Sequence, residues 1–194
     1  MPRLTSQPSG VLREEALQVM LSTHGSAIVL VTMGDTSMVP HLWGGDAVLA
    51  VPLAVAPRWG DLLLYRQSDY WVVHRCLGSL VARAGRAGVR TRGDGRNALD
   101  PFVAAEDVLA RVTALRRGGV WRSLEGRPAR AYSYLLAWHD LFWAVAGVAG
   151  RKAGLGRVVA AIDLLSLRLS VPLAFPLFHR RIARPDVSGP DEAV

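Results

Sequence analysis

Short apolar runs separated by turn residues dominate the chain between residue 24 and residue 126. Glycine, aspartate and serine punctuate the runs, and many of the apolar residues are β-branched. Runs of this length and composition are typical of strands, whereas helices need longer periodic segments. The predicted strands lie at 27–33, 47–51, 62–65, 70–77, 80–83, 89–92, 108–115 and 120–124. We therefore expect a mainly β fold whose domain at 24–126 is an antiparallel sheet.

Helical spacing of apolar residues is found on both sides of this region. Residues 11–22 follow it loosely and predict a short amphipathic helix before the first strand. Beyond residue 130 the apolar stretches are much longer, and the two helices that they predict lie at 131–150 and 156–178. Pro172 and Pro176 are expected to kink or end the second helix. The second predicted domain, 130–184, is therefore a helical extension.

The composition bears on cofactors and partners. Half of the residues (51%) are hydrophobic, which suffices for a core without a metal or disulfide staple, and Cys76 is the only cysteine. We therefore expect no metal and no other cofactor. The net charge is +7, and nearly all of the positive charge is arginine, with Lys152 as the only lysine. A basic chain can bind nucleic acid or an anionic membrane, and arginines beside long apolar runs in the C-terminal third favour the membrane.

The apolar stretch 158–178 has about the length that a bilayer-spanning helix requires. Asp163 and Arg168 lie near its middle, where exposure to lipid would cost roughly several kcal/mol. A hairpin that lies in the membrane interface, with arginines on anionic head groups, is therefore the expected arrangement. The alternative is a pair of helices packed against the β domain, with Arg168 on the solvated face.

Three short polar segments combine residue types that are used in hydrolysis. They are Asp-Thr-Ser-Met-Val-Pro at 35–40, Val-Val-His-Arg at 72–75 and Thr-Arg-Gly-Asp at 91–94. A serine hydroxyl becomes a nucleophile only when a neighbouring base takes its proton. Because the β domain contains no lysine, histidine is the remaining ordinary base, and His74 lies in the middle of a predicted strand. A buried histidine needs an orienting acid, and Asp94 and Asp100 are both candidates.

In their order and character these segments resemble the type I signal peptidases, a superfamily that also includes the self-cleaving repressors of the SOS response. The pair His-Arg is similar to the endoplasmic-reticulum and archaeal branch, in which histidine stands where most bacterial enzymes have lysine. The stretch 91–100 is similar to that branch's Thr-Lys-Gly-Asp-Asn-Asn motif with its later aspartate. The resemblance covers about residues 27–120, and its other matching residues are Ser37-Met38, Pro40, Gly45-Asp46 and Gly60-Asp61.

The resemblance implies an antiparallel, signal-peptidase-like β domain with serine endopeptidase activity. It implies Ser37 as the nucleophile and His74 as the general base. Asp100 matches the position of the relay aspartate, whereas Asp94 is expected to fix the loop. The backbone amide of Ser37 is the expected oxyanion donor, helped by the Thr36 hydroxyl. With an imidazole base, activity is expected to fall as the pH drops through about 6.5.

The resemblance also implies a peptide substrate that is cut after small residues, as leader and signal peptides are. The substrate chain is expected to add as a strand beside the nucleophile segment, next to Met38 and Pro40. The family usually has glycine where Asp35 or Thr36 precedes Ser37 in this chain. This departure supports an alternative function, that of a catalytically inactive peptide-binding protein.

A self-cleaving DNA-binding repressor of the same superfamily is a further alternative. Such a protein needs a helix-turn-helix domain ahead of the protease, and the stretch before the first predicted strand is too short for one. We therefore expect no nucleic-acid partner, and we expect a membrane-associated protein of a prokaryotic cell. The physiological substrate, the oligomeric state and the side of the membrane that the site faces stay open at this level.

Overall fold

The computed structural model of the chain describes position 19 and residues 21–31, 36–67, 70–81, 85–96 and 98–183. These residues form an antiparallel sheet that is followed by two long helices. The strands are β1 Ala27–Leu30, β2 Ala47–Pro52, β3 Leu62–Gln67, β4 Tyr70–Val81, β5 Ala87–Arg92, β6 Val103–Ala104, β7 Val108–Arg117 and β8 Val120–Ser123. The helices are α1 Arg127–Lys152 and α2 Gly156–Phe178.

The strands pair in the order β1-β2-β7-β3-β4-β5-β6, and β8 pairs with β7 beside this path. Every pair in the sheet is antiparallel. The late strand β7 lies between β2 and β3, so it joins β2, which follows the segment of Ser37, to the strand pair that carries His74. The prediction of a mainly antiparallel β fold with helices is thereby confirmed.

Two features of the sheet differ from the prediction: the short strand β6 was not expected, and two expected strands form one. The runs 70–77 and 80–83 were expected to be two strands, but residues Tyr70–Val81 form the single strand β4. The pairing of β4 with β5 shifts register between Cys76 and Ser79, and Gly78 lies between them with φ +140°. Glycine adopts this backbone conformation without steric cost, so the glycine signal marks a β-bulge here and not a turn.

The N-terminal helix predicted at 11–22 lies mostly outside the described residues, but position 19 and residues 21–24 are helical. The helix ends at Gly25, which has φ +68° and donates its N–H to Leu21 O at 3.1 Å. Glycine with a left-handed conformation is a common helix terminator. The Leu21 side chain is buried against the sheet, in contact with Ala27 and Leu64, so this helical end is part of the folded domain.

The two helices pack against the sheet. The buried cluster that joins them to it consists of Met38, Leu42, Val48, Leu62, Val112, Leu115, Tyr132, Leu136, Val171 and Phe175. Burying one leucine- or phenylalanine-sized side chain stabilises a fold by about 1.5–3 kcal/mol, so the helical extension contributes to the core of the domain. After α2 the chain returns to the sheet, where Ile182 N–H donates to Trp121 O of β8 at 3.1 Å.

Helix α2 was expected to kink or end at Pro172 and Pro176, yet it runs past both to Phe178. The end of the helix is packed into the domain. His179 N–H donates to Phe175 O at 3.2 Å, and the His179 side chain is buried. Asp163, which was expected at a lipid interface or near it, is buried against the sheet. Within the described part of the chain, no helix has both the length and the apolar character needed to cross a bilayer.

Candidate active site

Adjacent side chains on β4 point to opposite faces of the sheet, and His74 lies on the face that it shares with Tyr65 and Cys76. His74 pairs with Leu63 of β3, and the imidazole is fully buried. The other neighbour of β4 in the sheet is β5, in which Arg92 pairs with Arg75. Continuing this register puts Gly93 opposite His74, and the absence of a side chain there leaves room for the imidazole.

The imidazole of His74 is held by a buried carboxylate. His74 Nδ1 lies 2.6 Å from Asp100 Oδ2, and the same oxygen accepts hydrogen bonds from Thr91 Oγ1 at 2.9 Å and from Tyr65 Oη at 3.2 Å. A carboxylate oxygen accepts only, so Nδ1 carries the proton. The lone pair of a neutral imidazole is then on Nε2, which is the arrangement that a general base requires.

The backbone and the hydrogen bonds keep Asp100 ionised in this position. Asp100 N–H donates to Thr91 O at 2.9 Å, which fixes the loop against β5. Burial raises the pKa of the Asp100 carboxyl, but hydrogen bonds from His74, Thr91 and Tyr65 outweigh burial, so its pKa lies below the ordinary value. Burial also raises the pKa of Tyr65, so that the phenol stays protonated and donates.

Ser37 lies in a tight turn between β1 and β2. Val39 N–H donates to Thr36 O at 3.2 Å, and Leu42 N–H donates to Met38 O at 2.9 Å. Asp46 supports this turn, because its carboxylate accepts from Trp43 N–H at 2.9 Å. Ser37, Met38 and the two residues after them are buried, so the turn is packed into the domain.

A glycine-containing loop after β5 brings Ser37 next to His74. Gly95 N–H donates to Ser37 O at 2.8 Å. A Cβ added to Gly93 would lie 2.4 Å from Ser37 O and 2.9 Å from His74 Nε2. Ser37 and the free side of the imidazole therefore border the same small space. A Cβ on Gly95 would lie 2.4 Å from Thr36 O, so the turn and the loop approach closely at both glycines.

The hydrogen bond predicted between Ser37 and His74 is not formed in this structure. His74 Nε2 is buried and has no hydrogen-bond partner among the described residues. A buried unpaired lone pair is costly and rare in native proteins, and it needs an explanation. Catalytic hydrogen bonds are often long before substrate binds and shorten in the complex, which fits the adjacency seen here.

Asp94, the other candidate acid, does not serve the imidazole. Its carboxylate makes a two-pronged pair with Arg75, Nε to Oδ1 at 2.9 Å and Nη2 to Oδ2 at 2.7 Å. Arg75 Nη1 also donates to Gly60 O at 3.1 Å, which ties in the second Gly-Asp motif. Burial raises the Asp94 pKa, and the charge of Arg75 opposes this shift. Asp94 thus anchors the loop, whereas Asp100 orients the His74 imidazole.

The other residues predicted near Ser37 have different environments. Met38 lines an apolar cleft of about 470 Å³ whose walls include Val29 and Leu64. Pro40 is buried, is not among the described residues that line this cleft, and accepts a hydrogen bond from Trp43 Nε1 at 3.0 Å. Thr36 is exposed at the start of the turn. Asp35, whose charge bears on the oxyanion, lies outside the described residues.

A second buried group of charges was not predicted from the sequence. Arg92 of β5 donates through Nη1 to Asp140 O at 2.6 Å and to Asp140 Oδ1 at 3.1 Å, and its Nη2 makes a short ion pair with Asp163 Oδ2. Arg75 Nε lies 3.7 Å from the other oxygen of Asp140. Arginines within the strands predicted at 70–77 and 89–92 were the available signal, because a buried guanidinium requires acidic partners.

The helical extension also packs behind the turn that contains Ser37. His41 contacts Phe175 edge-on with ring centroids 5.3 Å apart, and it stacks on Tyr132 at 6.1 Å. His179 stacks on Phe175 at 4.1 Å and donates Nδ1–H to its carbonyl at 2.9 Å. Burial lowers the pKa of His179 to about 4 and that of His41 well below its ordinary value, so both are neutral packing groups. Both helices therefore support the turn that carries Ser37.

Comparisons with known proteins do not assign the site. The chain matches no protein-family model, and no curated protein matches it either. In the described part of the chain, no three or more histidine, cysteine, aspartate or glutamate side chains are grouped so that they could hold a metal ion. The chemistry is therefore inferred from the geometry around Ser37 and His74.

Proposed function

We propose that this protein is a serine endopeptidase in which Ser37 attacks a peptide carbonyl and His74 accepts the hydroxyl proton. The observation that carries the proposal is the asymmetric environment of the imidazole. Nδ1 is 2.6 Å from the Asp100 carboxylate, while Nε2 is buried, unpaired among the described residues and directed to the space beside Ser37. His41 and His179 also each have a buried nitrogen without a partner among the described residues, so what distinguishes His74 is the carboxylate at Nδ1 together with the serine beside Nε2.

The reaction follows from these positions. His74 Nε2 takes the proton as Ser37 Oγ bonds to the carbonyl carbon, and the ionised Asp100 stabilises the resulting imidazolium. Backbone N–H of Ser37, helped by the Thr36 hydroxyl, is the proposed donor to the oxyanion. Nε2 then protonates the leaving amine. Water, deprotonated by the same nitrogen, hydrolyses the acyl-enzyme and releases the serine.

The substrate is proposed to be an extended peptide that is cut after small residues, as in leader and signal peptides. β1 is an edge strand of the sheet, and Val29 and Leu30 of this strand border the cleft that Met38 lines. An edge strand offers unpaired backbone groups to an incoming chain. The apolar walls of the cleft support recognition of small uncharged side chains, and the resemblance to type I signal peptidases supports the same substrate class.

The test compares Ser37→Ala and His74→Ala with wild type on a fluorogenic peptide that has alanine before the scissile bond, with the cut mapped by mass spectrometry. We expect each variant to lose at least about a thousandfold in kcat/KM. His24 is exposed, so His24→Ala is the matched control and keeps full activity. Cleavage by both Ser37→Ala and His74→Ala at the wild-type rate would overturn the assignment.

A catalytically inactive peptide-binding protein is the second candidate. It is favoured by the Asp35-Thr36 pair before the serine, where the signal peptidases usually have glycine. A serine-reactive phosphonate probe separates the two functions, because it requires an activated hydroxyl and no substrate. An adduct on Ser37 that disappears in His74→Ala supports the peptidase. Peptide binding without an adduct supports the alternative.

A further inference from the structure

The helical hairpin formed by α1 and α2 exposes a continuous set of large apolar side chains. On α1 the exposed positions 135, 138, 142 and 145 recur every three or four residues, so they form one stripe along the helix. Trp138 and Phe142 are each 63% exposed, far more than core aromatic residues are. We call the whole set the hairpin apolar face, and it consists of Tyr134, Leu135, Trp138, Phe142, Val145, Val148, Val158, Ile162 and Leu165.

Most of the hairpin apolar face looks away from the sheet, although the half-exposed Tyr134 borders the β domain and the Trp138 ring also packs on Trp59, with centroids 5.7 Å apart. Asp140 of α1 and Asp163 of α2 both turn toward the guanidinium of Arg92 on β5. The exposed stripes lie on the opposite sides of the two helices from these aspartates. Contact between the helices keeps the stripes together, since His139 Nε2 of α1 lies 2.7 Å from Ser166 Oγ of α2. The pairing with Arg92 also removes the charge of Asp163 from any lipid contact.

The charges that surround the hairpin apolar face have one sign. Between residues 127 and 178, Asp140 and Asp163 are the only acidic residues of the sequence, and both are buried. The exposed charged side chains of this part of the described chain are therefore all basic. They are Arg127, Arg130, Arg151, Lys152 and Arg157. Three of them flank the turn between the helices, next to the exposed Leu155 and Val158.

We propose that the hairpin apolar face docks on a membrane surface that contains anionic lipids. Exposed tryptophan, phenylalanine and leucine beside a cluster of arginine and lysine form the composition of helices that lie in the membrane interface. The absence of exposed acids in the described hairpin removes the repulsion that acidic side chains would add at such a surface. This docking does not depend on Ser37 chemistry, and it would hold the peptidase site beside the bilayer, because the same two helices anchor Arg75 and Arg92.

The test measures flotation of the full chain with vesicles of phosphatidylcholine alone or mixed with phosphatidylglycerol. We expect wild type to float with the mixed vesicles and at least tenfold less protein to float with phosphatidylcholine. The variant Trp138→Glu/Phe142→Glu changes two exposed side chains and is expected to lose binding about tenfold or more. Val55→Glu/Tyr70→Glu, which alters equally exposed apolar residues of the β domain, is the matched control and keeps binding.

A second pair of variants tests the role of charge. Arg151→Gln/Lys152→Gln is expected to weaken binding to the mixed vesicles several-fold, whereas Arg58→Gln/Arg86→Gln, which neutralises exposed arginines elsewhere, leaves binding unchanged. Circular dichroism and thermal unfolding verify that each variant folds. Equal flotation of wild type and Trp138→Glu/Phe142→Glu would overturn the proposal. The proposal would also be overturned if wild type bound neither vesicle and formed a dimer that Trp138→Glu/Phe142→Glu converts to a monomer. The face would then be an interface between two copies of the chain.

The outcome is independent of the proposed catalytic function. Ser37→Ala is expected to float like wild type, because Ser37 is buried and is not part of the hairpin apolar face. Trp138→Glu/Phe142→Glu is expected to cleave a soluble peptide at the wild-type rate. An active enzyme that never binds vesicles contradicts the docking alone, and an inactive protein that binds them contradicts the peptidase alone.

Discussion

Strand β4 carries two neighbouring residues with opposite tasks. His74 points to one face of the sheet, where it meets a single carboxylate, Asp100, among neutral hydroxyl donors. Arg75 points to the other face, where it enters a group of buried charges that includes Asp94 and Asp140. The alternation of side chains along a strand thus separates two polar clusters that are adjacent in sequence.

The two clusters differ in how completely their central side chain is paired. Each nitrogen of the Arg75 guanidinium donates a hydrogen bond, to Asp94 or to Gly60 O. His74 has one nitrogen paired and leaves Nε2 without a partner among the described residues. The pairing of the Arg75 guanidinium holds its neighbours in place, although Asp140 Oδ2 in the same cluster accepts no hydrogen bond among the described residues, whereas the unpaired lone pair of His74 is retained at a cost in stability. We infer that the Arg75 cluster provides positioning and the His74 cluster provides chemistry.

The largest effect that separates the clusters is expected from Asp100→Asn. An amide presents either oxygen or nitrogen to Nδ1 and does not stabilise an imidazolium, so kcat/KM should fall by about three to four orders of magnitude. The protein should remain folded, as judged by circular dichroism. Asp94→Asn is the comparison variant. If Asp94→Asn and Asp100→Asn lower kcat/KM equally and have the same free energy of unfolding, the assignment of Asp100 to chemistry and Asp94 to positioning is wrong.

The next effect is one of stability and falls on the buried ion pair between Arg92 and Asp163, next to the Arg75 cluster. Asp163→Asn leaves Arg92 without its α2 carboxylate in a buried site, and removing one partner of a buried pair costs about 3–5 kcal/mol. Chemical denaturation measures the free energy of unfolding. Asp107→Asn, which removes a half-exposed carboxylate 3.8 Å from Arg66, is the control and should change it by less than about 1 kcal/mol. Equal effects of the two substitutions would mean that the cluster does not hold the helices.

The smallest effect is the pH dependence of stability that comes from the buried histidines behind the turn of Ser37. The folded-state pKa of His179 is about 4, below the ordinary value of 6.5, so the unfolded chain takes up this proton first as the pH falls. Stability is therefore full above pH 6.5 and declines between pH 6.5 and 4, by roughly 3 kcal/mol for His179. His179→Phe should flatten this decline in denaturation curves measured at pH 7 and 4.5. An identical decline in the variant would exclude His179 as its source.

Asp100 acts in a different pH window. Its folded-state pKa lies below the ordinary carboxyl value of 3.8, so the ionised side chain stabilises the fold above that value. This contribution is lost only as the pH falls through the lower folded-state pKa. A decline between pH 6.5 and 4.5 is therefore assigned to the histidines and not to the carboxylate that holds His74.

Most elements of the fold could be predicted from the sequence alone. Short apolar runs predicted most of the strands, the long run at 156–178 predicted α2 with its observed bounds, and the missing lysine in the β domain made histidine the proposed base. Alternation along β4 predicted that His74 and Arg75 point apart. These inferences depend on local periodicity and on composition, which a single sequence contains.

The pairing of the polar side chains could be read only from the folded structure. Residue spacing left Asp94 and Asp100 both open as partners of His74 until the loop after β5 placed Asp100 at Nδ1 and Asp94 at Arg75. The pairing of Arg92 with Asp163 joins groups far apart along the chain, so a segment that could be lipid-facing by its sequence became the side of a helix buried against the sheet. The reason is physical: periodicity defines which face a side chain occupies, but its partner depends on how sheet and helices pack.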